Sequence, residues 1–253
     1  MVASVKALLS LAESTALAAG MQLVAQRSQW SSIEAEKGRE VKIAADRMVE
    51  AMILDNLQGS TDFPVLTEER GWQEGFSSSS YLWVVDPLDG SYNYYKNIPI
   101  CAVSIALYEN NLPVLGVVYD FNRHELFSGL VSVGAWLNQH PITVSDTRES
   151  ERGILYTGFP VAKDFSDENS IAFMQFARQW RKVRMIGSAA ISLAYVASGR
   201  AEYYHERNTF FWDVAAGLAL VVAAGGSVEF LGDRLDARQD VHANNGKVIH
   251  RCR

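Results

Sequence analysis

The chain has 253 residues, 48% of them hydrophobic, enough to bury a large core as one big domain or as two tightly joined halves. A net charge of −6 with no run of Lys or Arg argues against a general nucleic-acid binder. Cys101 and Cys252 read as reduced thiols of a cytoplasmic protein, and no unbroken apolar run is long enough to span a bilayer, so no membrane partner is expected.

In chain order, Val5, Leu9, Ala12, Ala16, Ala19 and Leu23 recur at helical spacing and predict a helix ending near Ser28. Lys6 beside the apolar part and Glu13 within it favour a mature helix over a cleaved signal. Residues 29–40 read as a polar loop. Ala45, Met48, Val49 and Met52 predict a helix over 44–57 with Asp46 in its first turn. A turn and a short strand at 65–66 then lead into Thr67-Glu68-Glu69, and residues 71–80, ending in four serines, read as a flexible loop. A buried strand over 82–85 is expected to stop at Asp86-Pro87, because Pro cannot donate to a continuing ladder. Residues 101–109 and 112–120 predict a hairpin turning at Asn110-Asn111, followed by strands near 125–128 and 133–137. The second half opens with a strand at 154–157, a helix over 167–180 and a strand at 182–186. Gly187-Ser188-Ala189-Ala190 then enters a helix closed by Gly199. A strand at 201–205, an apolar helix over 212–224 stopped by Gly225-Gly226, and strands at 227–230 and 247–250 complete the chain. This mixed order predicts an α/β or α+β fold with some antiparallel pairing.

Residues 83–94, Trp-Val-Val-Asp-Pro-Leu-Asp-Gly-Ser-Tyr-Asn-Tyr, carry the chemistry. Asp86 and Asp89 at a strand's carboxyl end can converge on a hard cation, whose preferred ligands are oxygens. Gly90 lets the backbone approach a ligand, and free N–H groups there can bind an anion. Asp, Pro and Gly suit an ordinary turn equally well, so spacing alone leaves both readings standing. Asp46 and Asp213 each lie in a helix's first turn, where the helix dipole favours an acid without any ligand. Glu68-Glu69 alone reads as a solvated pair.

The combination resembles the inositol monophosphatase family of metal-dependent, lithium-sensitive phosphatases. Asp86-Pro-Leu-Asp-Gly-Ser-Tyr-Asn-Tyr is similar to that family's first signature and Trp212-Asp-Val-Ala-Ala-Gly to its second. Thr67-Glu68-Glu69 stands where the family carries Gly-Glu-Glu, and Gly187-Ser-Ala-Ala, Glu206 and Gly225-Gly226 fall in register, so the resemblance covers most of the chain. It implies a layered αβαβα sandwich of mixed sheets and helices. It also implies one phosphatase domain over 1–253, with most metal ligands in about 1–145, and Asp213 and the substrate side in about 146–253. Two or three Mg²⁺ ions are expected on Glu68, Asp86, the Leu88 carbonyl, Asp89 and Asp213, with Asp86 bridging. The phosphate is expected on the ions and on the N–H groups of Gly90 and Ser91. Asp46 would hold Ser91, and Ser91 with Glu68 would orient and help deprotonate the attacking water. Glu206 would accept a substrate hydroxyl beside the backbone of Gly187, Ser188 and Ala189, and Lys37 would close over a third ion. A homodimer acting on a small phosphorylated substrate is implied by the relatives.

Three departures from the pattern stand out: Ser91 for Thr, Thr67 for Gly, and Lys42, expected as a helix neighbour perturbing Asp46. Glu206 and Asn93-Tyr94 look like the inositol phosphatase branch, which ranks a polyol or sugar monophosphate first as substrate. The alternatives within the superfamily are a 3′(2′),5′-bisphosphate nucleotidase, a fructose-bisphosphatase and a histidinol-phosphatase. Arg184 and Arg207 are the nearby basic candidates for a second phosphate. From other classes, a non-catalytic relative predicts phosphate binding without turnover. A glycosidase using Glu68 and Asp86 as an acid/base pair predicts activity that survives chelation.

Overall fold

A computed structural model of the chain describes residues 4–37, 40–73, 80–159, 166–231 and 238–248. Helix α1 (Val5–Ala25) begins where the Ser4 hydroxyl accepts the Ala7 N–H, and it buries Leu8, Ala12, Ala16, Ala19 and Leu23 along one stripe. By length and mean composition it is apolar enough to cross a bilayer, although Lys6, Ser10 and Glu13 interrupt it, so the expectation of no unbroken apolar run of that length stands. Its apolar stripe packs with Val49, Ile53 and Leu57, a destination that accounts for the composition. The first helix breaks at Gln26, before the expected Ser28, and a short helix α2 (Arg27–Trp30) follows. The expected polar loop is instead an antiparallel hairpin of β1 (Ile33–Lys37) and β2 (Glu40–Ile43).

Helix α3 (Ala44–Gln58) and strand β3 (Val65–Thr67) lie where expected. Strand β4 (Gly71–Gln73) occupies the start of the expected flexible loop, whose residues 74–79 lie outside those described. Strand β5 (Tyr81–Asp89) does not stop at Pro87. Asp86 pairs with Ser104 and Asp89 with Ala102, so three steps on β5 oppose two on its neighbour. That bulge absorbs Pro87 where no ladder bond is required.

Next come α4 (Ser91–Tyr95), β6 (Ala102–Glu109), β7 (Leu112–Asp120), β8 (Glu125–Leu130), β9 (Gly134–Leu137) and an unexpected β10 (His140–Ile142). Asn110 and Asn111 turn the β6–β7 hairpin with φ of 50° and 65°, the left-handed pair a tight hairpin favours. The second half runs β11 (Ile154–Thr157), α5 (Asp167–Ala177), β12 (Lys182–Arg184), α6 (Ala189–Ala197), β13 (Tyr203–Thr209), α7 (Phe211–Ala223), β14 (Ser227–Leu231) and β15 (Gln239–Asn244). Among the described residues the last strand is therefore β15; residues 247–248 form none, and 249–250 lie outside the described residues.

The strands form a hairpin and two larger sheets, ordered β10-β9-β8-β7-β6-β5-β3-β4 and β12-β11-β13-β15-β14. Trp83, Val85, Val103 and Ile105 face the core containing α1 and α3. Their neighbours Leu82, Val84, Ala102 and Ala106 face the opposite core, which holds α6 and α7. Burial on both faces is why these strands read as unbroken apolar runs. Phe176 of α5 packs on Leu155 and Tyr203 across the outer face of the five-stranded sheet. The layers are αβαβα, as the resemblance implied, with α7 buried almost all round because a sheet covers it on each side.

Candidate active site

Strands β3 and β5 run parallel in register, Thr67 beside Val85, so their carboxyl ends deliver Glu68 and Asp86 to the same place. In a regular strand, residues three apart face opposite sides; the β5 bulge instead lets Asp86 and Asp89 line one cavity. Gly90 follows with φ 86°, and a Cβ there would meet the Ile100 carbonyl at 2.9 Å, so the tight turn into α4 requires glycine.

The second half closes the cavity with two helix starts. The Ser188 hydroxyl donates to Asp89 Oδ2, and the N–H groups of Ala189 (3.2 Å) and Ala190 (3.0 Å) also donate to that carboxylate. Asp89 therefore caps α6, a hundred residues downstream. Asp213 accepts from the Thr209 hydroxyl at 2.9 Å and the Phe210 N–H at 3.2 Å at the start of α7. Asn93 ties the halves together, its Nδ2 lying 2.8 Å from the carbonyls of both Ile100 and Ile186.

The resulting cavity, about 420 Å³, is lined by Glu68, Asp86, Leu88, Asp89, Gly90, Ser91, Gly187, Ser188, Ala189, Glu206 and Asp213, together with Thr157, Gly158, Phe159, Met185, Ser192 and Thr209. Five of these are carboxylic acids, and no Lys, Arg or His lines it among the described residues. Arg184 and Arg207 are outside the lining, and Arg184 donates to the Val183 carbonyl. Lys37 ends β1, and its side chain lies outside the described ones.

Asp46 sits behind the wall. Its Oδ1 accepts from the Ser91 hydroxyl at 2.8 Å and its Oδ2 from the Ile43 N–H at 3.0 Å. The Ser91 oxygen is also 3.0 Å from the Leu88 carbonyl, so serine retains a directed contact without threonine's extra methyl. Lys42 lies on β2 rather than on the helix and pairs with Glu69 at 2.7 Å, which corrects its expected placement, while its charge still acts to lower Asp46 as expected. Thr67 is buried, and its hydroxyl accepts the Arg70 N–H at 3.3 Å within the turn that follows.

Burial pushes Glu68 and Asp86 well above the ordinary carboxylate range. Repulsion adds to it, from Asp213 and Asp46 on Glu68 and from Glu68 and Asp89 on Asp86. Burial also lifts Asp89, Asp46 and Glu206 to about 7 each, against the hydrogen bonds they accept from Ser188, Ile43 and Tyr204 respectively. A hard cation would relieve this repulsion, and oxygen donors of this kind suit Mg²⁺. Among the described residues, no three His, Cys, Asp or Glu side chains already form a closed cage. The oxygens of Asp86, Asp89 and Asp213 are partly engaged by protein donors instead.

Glu206 is placed by Tyr204, whose hydroxyl donates to Oε2 at 2.7 Å from two positions along the same strand face. Sequence reasoning missed this tyrosine and also Gly158, where a Cβ would fall 2.0 Å from Glu206 Oε1. It missed Thr209 and the fully buried Glu50 as well. Thr209 precedes Asp213 by four residues, a local signal for a capping hydroxyl.

A sequence profile described as the Inositol monophosphatase family matches residues 5–252. The chain belongs to the inositol monophosphatase family. It is 38% identical over 248 residues to an inositol-1-monophosphatase of Synechocystis sp., across 95% of this chain and 85% of that one. It is 40% identical over 190 residues to the Nus factor SuhB of Escherichia coli, across 74% of this chain and 71% of that one. Among solved structures, an inositol monophosphatase from Anabaena (Nostoc) sp. superposes with a TM-score of 0.83 at 35% identity, across 97% of this chain and 93% of that one. As a member of the inositol monophosphatase family, the chain is a phosphatase.

Proposed function

We propose that this phosphatase hydrolyses the phosphate monoester of a polyol or sugar, inositol 1-phosphate foremost, with Mg²⁺ held by Glu68, Asp86, the Leu88 carbonyl, Asp89 and Asp213. The observation that carries the reading is a cavity with five carboxylic acids and no basic side chain among the described residues that line it. A phosphate dianion cannot enter such a cavity unless cations offset the acids. Bound Mg²⁺ supplies Lewis acidity, drawing charge from the phosphoryl oxygens and acidifying water. The N–H groups of Gly90 and Ser91 hold phosphoryl oxygens. Ser91 and Glu68 orient the attacking water, and Asp46, lifted to about 7 and bonded to the Ser91 hydroxyl, can take up a proton near neutral pH. Glu206 accepts a hydroxyl of the leaving group, beside the backbone of Gly187, Ser188 and Ala189.

The lack of a described basic lining supports a substrate with one phosphate over the bisphosphate branches. A core cluster running from Leu66 to Ala243 supports treating residues 1–253 as one phosphatase domain. The same reading has the enzyme working in the cytoplasm as a Li⁺-sensitive homodimer on a small phosphorylated substrate, without nucleic acid or membrane. Sedimentation and Li⁺ inhibition test the dimer and the Li⁺ sensitivity.

The deciding experiment is phosphate release from inositol 1-phosphate, fructose 1,6-bisphosphate, histidinol phosphate and adenosine 3′,5′-bisphosphate, each with Mg²⁺ and with EDTA. Mg²⁺-dependent release that is fastest from inositol 1-phosphate is the expected result. Preference for a bisphosphate, or release that survives EDTA, would overturn the assignment.

A further inference from the structure

Glu50 is fully buried on α3, one turn beyond Asp46, so the two carboxylates share a stripe of the helix. Its Oε1 accepts the N–H groups of Glu69 (3.1 Å) and Arg70 (3.3 Å), and Arg70 Nε lies 3.1 Å from Oε2. Those amides belong to the turn between β3 and β4, which begins at Glu68. The turn closed by these amides carries Glu68, so holding them fixes where its carboxylate leaves the chain. At the other end of the stripe, Asp46 holds Ser91 just beyond β5. Helix α3 thus sets the ends of β3 and β5, the two sources of acids in the first half, through carboxylates four residues apart.

We propose that Glu50 is a positioning residue of this phosphatase: by holding the 69–70 amides it fixes Glu68 for Mg²⁺. The inference rests on the reading in which Glu68 is a Mg²⁺ ligand. A purely structural Glu50 would affect stability alone. Positioning predicts a change in ion affinity that depends on Glu68.

The test is Mg²⁺ titration of the full chain by calorimetry, with folding checked by circular dichroism. Glu50→Gln keeps an acceptor oxygen but turns an amide toward Arg70, whereas Glu50→Ala strands both N–H groups. Mg²⁺ Kd should rise about threefold in the Gln variant and about tenfold or more in the Ala variant, the scale of lost outer-shell support. In a Glu68→Gln background, Glu50→Gln should add less than about twofold, because the interaction it supports is gone. Wild-type affinity in folded Glu50→Gln, or its full effect persisting without Glu68, overturns the proposal. The Gln variant decides the matter if the Ala variant does not fold. A wild-type chain that binds no Mg²⁺ would instead overturn the functional reading beneath it.

Discussion

Tyr204 and Gly158 fix where the Glu206 carboxylate sits. The phenol donates to one oxygen, and the missing side chain of Gly158 leaves room for the other. Gly158→Ala should therefore push the carboxylate from its place and raise KM for inositol 1-phosphate about tenfold, with less than about twofold change for phenyl phosphate. Steady-state kinetics on both esters check this; equal losses would remove Glu206 from substrate recognition. Asp89 couples chemistry to folding more directly, because the same oxygens that face the cavity cap α6. Asp89→Asn should abolish Mg²⁺-dependent turnover. At pH 5, below the folded pKa of about 7, it should also cost about 1–2 kcal/mol in the metal-free protein, since an amide presents one acceptor where a carboxyl presents two. Urea unfolding in EDTA measures that cost, and unchanged metal-free stability would contradict the capping role. The motif around residues 86–91 marks Asp89 as a candidate ligand. Nothing local foretells its cap, because the helix it serves arrives a hundred residues later.

At the scale of elements, the sheet strands buried on both faces were readable because nothing but apolar residues satisfies two cores. The β1–β2 hairpin was not, since the alternation of Ile33 with Ala35 and of Val41 with Ile43 is short and is split by the polar run Glu-Lys-Gly-Arg-Glu at 36–40. Strand β15 carried a signal that was passed over: Gln239, Val241 and Ala243 are buried in alternation, and one of the three is polar. Pro87 marked the position of a bulge rather than a strand end, and only the pairing partner Ser104–Ala102 distinguishes the two. Glu50 was hidden for another reason. A lone Glu on a helix ordinarily faces water, and only its four-residue spacing from Asp46 hinted otherwise. The joint between elements that matters most to the cavity is Asn93, bonded to the Ile100 carbonyl before β6 and to the Ile186 and Gly187 carbonyls in the turn leading into α6. Asn93→Ala should destabilise the protein by about 1–3 kcal/mol and speed amide exchange at residues 187–190. Exchange there at the wild-type rate would show that the turn is held by other contacts.

Across the whole molecule, a net charge of −6 is spread unevenly, with five acids facing one cavity. For every acid whose folded pKa is raised, the folded chain holds a proton that the unfolded chain has released. That contribution to stability is complete below the unfolded pKa, near 4, and is lost as pH rises through the folded value. Asp46, Asp89 and Glu206, at about 7, place the loss between about pH 4 and pH 7, and Glu68 and Asp86 shift in the same direction. His205 opposes them. Burial and the stacked His242 ring lower it to about 4, so its contribution grows with pH between about 4 and 6.5. One imidazole against five carboxylic acids leaves the sign with the acids. In EDTA, Tm should therefore fall as pH rises from about 5 to about 7.5. Mg²⁺ selects the ionised acids, so its stabilisation should grow across the same interval and flatten or reverse that fall. His205→Phe should steepen the fall in EDTA by removing the opposing group. Differential scanning fluorimetry over that range, with EDTA and with millimolar Mg²⁺, measures all three slopes. A metal-free Tm that climbs with pH would mean that these acids are not held in mutual repulsion, and the case for cations offsetting them would lose its physical basis.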